Sequence, residues 1–416
     1  MSSELGRHKN RHALWTKESF FFLLVLFLIA LPLGIKLKSK ARSLIEDLDR
    51  PLIGAIIPPA KPSISMKSLL DGTFQNNYEV YYAYKLSGRE LMTRLYNQIL
   101  FSVFKSTDNA TMQIGGNKYL FEQAYVQAYF TEVSTGQKDE LTQKIKMLNT
   151  LKTRLTEKGK VLAVIITPSK VSIYPEYLPA CYYPYVHMKN SGNYENNFYD
   201  AFIETCAELN FDFLDLHKKF LSEKENDKII FTVSGIHWTA GTAMSYFLPA
   251  FTEYLNTKLT APLGSIITKE ENLLRNNPFR SDGDLEVLLN LAMPRYNFYS
   301  SHTELSSFPS SYRPAVFVCG GSFSWNWVDS IFGNHVKGEA LFSKLYVSYY
   351  NSYITRYPGN DKIADTTNDF ASIMENDIIV IELNEQAINP NASHFVFVEN
   401  LLKYLDEIDD LGSSRG

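Results

Sequence analysis

Cysteine is scarce in this chain of 416 residues, which contains only Cys181, Cys206 and Cys319. Because the count is odd, at least one thiol is unpaired, and the sequence leaves open whether Cys181 and Cys206 form a disulfide. No C-x-x-C or H-E-x-x-H spacing occurs in the sequence. The chain is therefore expected to hold no metal and to need no cofactor.

Long runs of one charge sign are also missing. The chain has 41 Lys and Arg against 45 Asp and Glu, a net charge of -4. A basic stripe or patch is the usual mark of a nucleic-acid-binding surface, so a nucleic acid is not an expected partner. Internal repeats and low-complexity tracts are absent too, and a hydrophobic content of 45% predicts a globular protein with one or two domains.

The longest apolar run covers residues 20–35 and is bounded by Lys17 and Lys36. Because it is apolar on every face and no small-x-small cleavage site follows, it predicts an uncleaved transmembrane signal anchor. Basic residues flank the run equally, so they do not fix its orientation. The predicted segments are an N-terminus at 1–18, the anchor at 19–36, a Pro-rich linker at 37–65 and one main domain at 66–410.

Strand-like and helix-like patterns alternate along the main domain. Short apolar, β-branched segments at 161–166, 211–214, 315–319 and 378–383 are separated by amphipathic stretches. This alternation predicts an α/β fold, a three-layer α/β/α domain with a mainly parallel sheet. The least regular segment, 260–310, is a candidate lid or substrate-binding insertion.

A Gly-Gly-Ser sequence ends one of these strands and begins a helix at Ser322. A serine at such an elbow projects from the sheet edge beside the unpaired N–H groups of the helix, which suits a nucleophile. Ser322 is equally suited to be a simple helix N-cap. The choice rests on His237, in Ser-Gly-Ile-His-Trp-Thr, which precedes another helix and is a candidate general base for Ser322.

Further polar residues follow predicted strand ends, where open α/β sheets bind ligands. Lys170 and Tyr174 follow the strand at 161–166, and Asn384 and Glu385 follow the last strand. The same residues are also suited to shaping loops. The full set of oxyanion or substrate-binding candidates is Gly321, Asn326, Lys170, Tyr174, Asn384, Glu385 and Trp238.

The order of these segments resembles the alginate O-acetyltransferase family of the AlgJ/AlgX type, which carries an SGNH-hydrolase-like domain. The resemblance spans roughly residues 65–405 and rests on an ordered set of motifs. These are Gly-Gly-Asn-Lys-Tyr-Leu-Phe at 115–121, Pro-Ser-Lys then Tyr-Pro-Glu-Tyr-Leu at 168–178, His-Trp-Thr at 237–239, Gly-Ser-Phe-Ser at 321–324 and Glu-Leu-Asn-Glu at 382–385.

One position departs from the family. The family pattern around the histidine is Asp-x-His-Trp, and Gly235 stands in place of the aspartate that orients the imidazole. Three explanations are open: a Ser-His dyad held by a backbone carbonyl, an acid from elsewhere in the chain, or a weakened or inactive enzyme. Asp212 and Asp215 are nearby candidates for the acid.

The resemblance implies a membrane-anchored, extracytoplasmic O-acetyltransferase with Ser322 and His237 as its catalytic residues. It implies an acetyl-serine intermediate, a polysaccharide acceptor, and a membrane-bound O-acyltransferase partner that supplies acetyl groups across the membrane. Two alternatives use the same sequence features. One is a carbohydrate acetylesterase, and the other is a non-catalytic subunit of an exopolysaccharide acetylation complex.

Overall fold

A computed structural model describes residues 50–54, 57–86, 88–192, 196–264, 266–275, 280–295, 298–307, 312–333, 341–349, 353–357, 361–363 and 369–413. The predicted N-terminus and anchor lie outside these ranges. None of the helices in the described ranges is long and apolar enough to cross a membrane. The described residues divide into two compact units, 50–104 with 287–294, and 105–286 with 295–413.

The described part of the first unit is helical. Its helices are α1 (Met66–Leu70), α2 (Thr73–Lys85) and α3 (Arg89–Ile99), and a π-helical turn, Leu100–Phe104, follows α3. Gly88, with a φ of 78°, separates α2 from α3, and glycine adopts this left-handed conformation without strain. The buried Arg94 guanidinium donates to the side-chain oxygen of Asn290 and to the carbonyls of Arg50 and Pro51.

The second unit is built on a sheet with seven strands within the described residues. They are β3 (Val161–Thr167), β4 (Leu214–Asp215), β7 (Ala315–Gly320), β8 (Lys344–Tyr349), β9 (Tyr353–Tyr357), β10 (Asp361–Ile363) and β11 (Ile378–Asn384). Their order in the sheet is β10-β9-β8-β7-β11-β3-β4. The five strands from β8 to β4 are parallel, and β9 and β10 extend one edge in antiparallel fashion. The remaining strands form two hairpins, β1 (Met112–Ile114) with β2 (Leu120–Glu122), and β5 (Ile266–Arg275) with β6 (Phe298–Ser307).

Alternate side chains of the central strands enter two separate hydrophobic clusters. Ile165, Val318 and Val380 pack on one face with Trp238 and Phe323. Their sequence neighbours pack on the other face, where the core is completed by leucines and phenylalanines of the helices Thr135–Glu157 and Ser393–Ser413. The period of two is that of a sheet covered on both sides, and the predicted three-layer α/β/α domain with a parallel sheet is confirmed.

Helices supply the outer layers. The remaining helices are α4 (Gln123–Phe130), α5 (Thr135–Glu157), α6 (Lys170–Ile173), α7 (Tyr183–Asn190), α8 (Phe198–Glu208), α9 (His217–Glu225), α10 (Ala240–Thr242), α11 (Leu248–Asn256), α12 (Asp284–Leu288), α13 (Ser322–Gly333), α14 (Phe370–Ile373) and α15 (Ser393–Ser413). The long helix expected after His237 contains a π-helical turn, Ala243–Phe247, directly before Pro249. Because proline lacks an N–H, the wider turn accommodates it within a continuous helical segment.

Candidate active site

The elbow at Ser322 is shaped by the two glycines before it. A Cβ on Gly320 would lie 2.0 Å from Oγ of Ser324 and 2.9 Å from Oε2 of Glu382, so only glycine fits at this point. The backbone N–H of Ser324 donates to the carbonyl of Gly321 over 3.1 Å, which closes the turn. Ser322 thus begins α13 at the carboxyl end of β7, the position that the sequence predicted.

A fully buried carboxylate lies directly beneath this turn. Glu382 accepts hydrogen bonds from the N–H of Gly321 (2.9 Å), the hydroxyl of Ser324 (2.9 Å) and the hydroxyl of Thr167 (2.5 Å). Burial raises the pKa of Glu382, while these donors oppose that shift. Because the Gly321 N–H is already bound to Glu382, it does not point at a substrate, and the prediction of Gly321 as an oxyanion donor is not met.

His237 lies beside the elbow. Its ring centroid is 4.9 Å from that of Phe323, the residue after Ser322, and its side chain is 16% exposed. Nδ1 of His237 is 2.6 Å from Oδ2 of Asp284. Nε2 is buried and has no hydrogen-bond partner among the described residues. Since a carboxylate only accepts, Nδ1 carries a proton, and Nε2 is the ring nitrogen that can accept one.

Asp284 is the functional residue that the sequence did not reveal. Its second oxygen, Oδ1, accepts the N–H of Ile236 over 2.8 Å, so the carboxylate bridges two consecutive residues of the histidine loop. The residue lies 47 positions after His237, within the irregular segment 260–310. No local spacing links it to the histidine, and only its acidic type in a suspected insertion was a signal.

The two acids that the sequence offered instead lie elsewhere. Asp212 forms an ion pair with Lys258, and Oδ1 of Asp215 is 3.0 Å from Nδ1 of His217. Neither carboxylate is a partner of His237 among its observed contacts. The carboxylate that contacts His237 is instead that of Asp284.

Glu122, at the end of β2, is a second acid that interacts electrostatically with His237. It is half-buried, and burial raises its pKa. His237 opposes that shift, whereas Asp284 reinforces it, so all three groups share one electrostatic environment.

Lys170 has a different role from the predicted one. Its ammonium group is buried and donates to three backbone carbonyls, those of Leu120, Val233 and Gly235, each over 2.9 Å. Burial lowers the pKa of Lys170, and the nearby Asp284 carboxylate opposes that shift. Because all three ammonium protons face the protein, Lys170 holds the histidine loop and does not bind substrate.

Three other candidates are structural as well. Tyr174 is 6% exposed, and its hydroxyl accepts the N–H of Ile230. Trp238 is fully buried and packs edge-on against Phe220 and Phe323. Asn384, 3% exposed, donates to the carbonyl of Thr167 over 3.1 Å. These side chains shape the site from behind and do not line it.

Asn326 is the remaining candidate on α13. Its amide nitrogen donates to the hydroxyl of Ser281 over 2.9 Å. The contact joins α13 to the segment that carries Asp284. Asn326 is thereby placed near the acid and the elbow, in a bridging position.

Glu385 belongs to a buried cluster rather than to the elbow. It contacts Nε2 of His217 and the hydroxyl of Ser169, and Asp215 contacts Nδ1 of the same histidine. The ring of Tyr199 stacks on His217 at 4.0 Å. Although burial disfavours its charge, the two carboxylates raise the pKa of His217 to about 9, so this histidine is a cation that joins the ends of β3, β4 and β11.

No disulfide joins Cys181, Cys206 and Cys319; Cys181 is exposed, and the other two are buried. Within the described residues, no group of His, Cys, Asp and Glu is arranged to hold a metal ion. The groups described near the elbow are a hydroxyl, an imidazole and carboxylates.

Several solved structures are similar to this chain. The O-acetyltransferase domain of Pseudomonas putida AlgJ has 16% sequence identity and a TM-score of 0.42, with 67% of this chain and 92% of that chain covered. Pseudomonas aeruginosa AlgX has 15% identity and a TM-score of 0.43, with 70% and 67% covered. Bacillus cereus PatB1 has 10% identity and a TM-score of 0.39, with 67% and 98% covered.

A comparison with curated proteins gives no match. Residues 112–326 match the sequence profile of the SGNH hydrolase-like domain of acetyltransferase AlgX. The match covers just over half of the chain and includes both His237 and Ser322. The chain therefore belongs to the AlgX family of SGNH hydrolase-like acetyltransferase domains.

Proposed function

We propose that this protein transfers acetyl groups to hydroxyls of an exopolysaccharide or cell-wall polysaccharide through an acetyl-Ser322 intermediate. Membership of an acetyltransferase family supports the acetyl chemistry. The observation that carries the proposal is the state of His237. Its Nδ1 is held by a carboxylate, and its Nε2, beside the serine elbow, has no partner among the described residues.

The first half-reaction forms the acetyl-enzyme. The Ser322 oxygen attacks the carbonyl carbon of an acetyl ester while Nε2 of His237 takes the hydroxyl proton. The N–H of Ser322 and the first turn of α13 stabilise the negative oxygen of the tetrahedral intermediate. When the intermediate collapses, the imidazolium returns the proton to the leaving alkoxide, and the acetyl group remains on Ser322.

The second half-reaction reverses these roles. A sugar hydroxyl attacks the acetyl carbon, and Nε2 of His237 takes its proton. The tetrahedral intermediate collapses with Ser322 as the leaving group, and the serine recovers its proton from the imidazolium. The product is the acetylated sugar, and the enzyme returns to its starting state.

The proposal includes a location and a partner. The apolar run at 20–35 supports a single-pass anchor with the main domain on the extracytoplasmic side, and cytoplasmic acetyl-CoA does not reach that compartment. A membrane-bound O-acyltransferase that passes acetyl groups across the bilayer is the proposed donor. Fusion of a topology reporter to the C-terminus tests the orientation, and activity of a cytoplasm-only reporter would contradict it.

The catalytic test uses the full chain in detergent with a chromogenic acetyl ester. The wild type is expected to gain one acetyl group by intact mass, and Ser322→Ala and His237→Ala are expected to gain none. Ser222→Ala and His187→Ala are matched controls because both residues are exposed and far from the elbow in sequence. A wild type as inert as Ser322→Ala on every donor would defeat the proposal and favour the non-catalytic subunit.

A second measurement separates transferase from esterase. The same residues serve both reactions, and the difference is whether a sugar hydroxyl or water accepts the acetyl group. Acetyl-enzyme is mixed with oligosaccharides, and acetylated sugar and free acetate are both measured. Release of acetate alone across the acceptors tested would identify an acetylesterase.

A further inference from the structure

We infer that Asp284 orients His237 in this protein, a function that the family motif gives to an aspartate two residues before the histidine. Gly235 stands at that aspartate position, and the lack of a side chain there leaves room for the segment that carries Asp284. The inference rests on the proposed function for its kinetic part. Its structural part, the orientation of His237, is independent of any reaction.

The Asp284 carboxylate makes two contacts with the histidine loop. One oxygen of Asp284 lies 2.6 Å from Nδ1 of His237, and the other accepts the N–H of Ile236 over 2.8 Å. Two bonds to adjacent residues fix both the position and the plane of the carboxylate. The imidazole is thereby held in the Nδ1–H tautomer, with Nε2 available as a base.

The space beside Gly235 is filled by the backbone of Ser281 and Asp282. A Cβ there would lie 2.7 Å from the carbonyl oxygen of Ser281 and 3.0 Å from that of Asp282. The backbone that leads to Asp284 therefore occupies the position where the family's aspartate side chain would begin. The missing side chain and the new acid are two parts of one arrangement.

The segment that carries Asp284 is anchored to the histidine loop at several points. The backbone N–H groups of Leu285 and Glu286 approach the carbonyl of Ser234 at 3.2 and 3.3 Å. The Ser234 hydroxyl donates to Glu286, and Nε of Arg295 donates to the same carboxylate over 2.8 Å. Such contacts fix the acid in the way that a short local motif fixes it in the family pattern.

The test compares Asp284→Asn with a matched control, Asp212→Asn, in the full chain. Asp212 is one of the acids closer to His237 in sequence, and it pairs with Lys258 on the surface. Nitrogen NMR of labelled histidine reports the tautomer of His237, and acetyl transfer gives kcat and KM. Asp284→Asn is expected to lose the fixed Nδ1–H tautomer and to lower kcat by roughly 10³- to 10⁴-fold with little change in KM.

The outcomes are distinguishable. If the tautomer of His237 changes in Asp284→Asn but not in Asp212→Asn, the inference is supported. This holds even if neither the wild type nor the variants transfer acetyl groups, because the lack of transfer would defeat only the proposed function. An unchanged His237 signal in Asp284→Asn would overturn the inference. So would an unchanged kcat in an active enzyme, because the imidazole would then be oriented by another group.

Discussion

At the scale of the residue, Lys170 lies where the sequence predicts, after a strand end, but its side chain contacts the protein backbone. A lysine after a strand end in an α/β protein suggests a ligand for an anionic or polar substrate. In the structure its three donors are used by backbone carbonyls, one of them that of Gly235 in the histidine loop. Its burial depends on contacts from two distant segments, one at Leu120 and the other at residues 233–235.

The substitution Lys170→Met separates these two roles. Loss of the ammonium leaves buried carbonyls without a donor, and the expected cost in folding free energy is about 1–3 kcal/mol or more. Chemical denaturation measures that cost, and Lys219→Met, at a side chain that is 47% exposed, is the control expected to change stability by less than about 0.5 kcal/mol. A raised KM with unchanged stability would instead identify Lys170 as a substrate ligand.

At the scale of the element, the local patterns were predictable and the long-range pairs were not. The strand at 315–319 and the helix after Ser322 were evident from an apolar run, two glycines and a serine, and they are observed as β7 and α13. Asp284 was not evident because 47 residues separate it from His237. Tertiary contact, rather than sequence spacing, places it beside the imidazole.

The same limit applies to the candidates that lie at strand ends. The sequence correctly placed Asn384 and Glu385 at the carboxyl end of β11, but it did not show which groups their side chains contact. Asn384 donates to the carbonyl of Thr167 at the end of the neighbouring strand β3, and Glu385 contacts His217. Hydrogen-bond partners of buried polar groups are set by packing, which the sequence alone does not specify.

Gly235 provides the test at this scale. Gly235→Ala is expected to lower folding stability by about 1–3 kcal/mol, because its Cβ would meet the backbone oxygens of Ser281 and Asp282. Gly136→Ala is the matched control. It lies in the first turn of α5 with nothing within 4 Å of the new Cβ, and alanine there is expected to leave stability unchanged or slightly raised.

Differential scanning calorimetry and kcat are measured for both glycine variants. Equal melting temperatures for Gly235→Ala and Gly136→Ala would show that segment 280–286 moves aside at little cost. In that case it would be wrong that a side chain at position 235 is sterically incompatible with the segment that carries Asp284. A selective loss at position 235 is the expected result.

At the scale of the whole molecule, the buried His217 cluster links stability to pH. The groups that face this histidine are Asp215, Glu385 and the ring of Tyr199. Because the pKa of His217 rises to about 9 in the folded state, its contribution is complete below its ordinary pKa of 6.5 and is lost as the pH rises through about 9.

We therefore expect the wild type to lose roughly 1–3 kcal/mol of folding free energy between pH 6.5 and pH 9 through this group. His217→Gln is expected to be less stable at pH 6 and to lack this decline, whereas His187→Gln, at an exposed position, is expected to keep it. Denaturation at a series of pH values is the measurement. A wild type whose stability rises over the same interval, with His217→Gln following it, would contradict the assignment of charge.

The separation of His237 from Asp284 by 47 residues also has a consequence for recombination between relatives. A crossover placed between the two positions would join a histidine loop from one parent to an insertion from the other. One product would inherit two acids competing for the same volume, and the reciprocal product would inherit none. Active chimaeras are therefore expected only when residues 232–286 are exchanged as a block, so that the histidine and its acid come from the same parent.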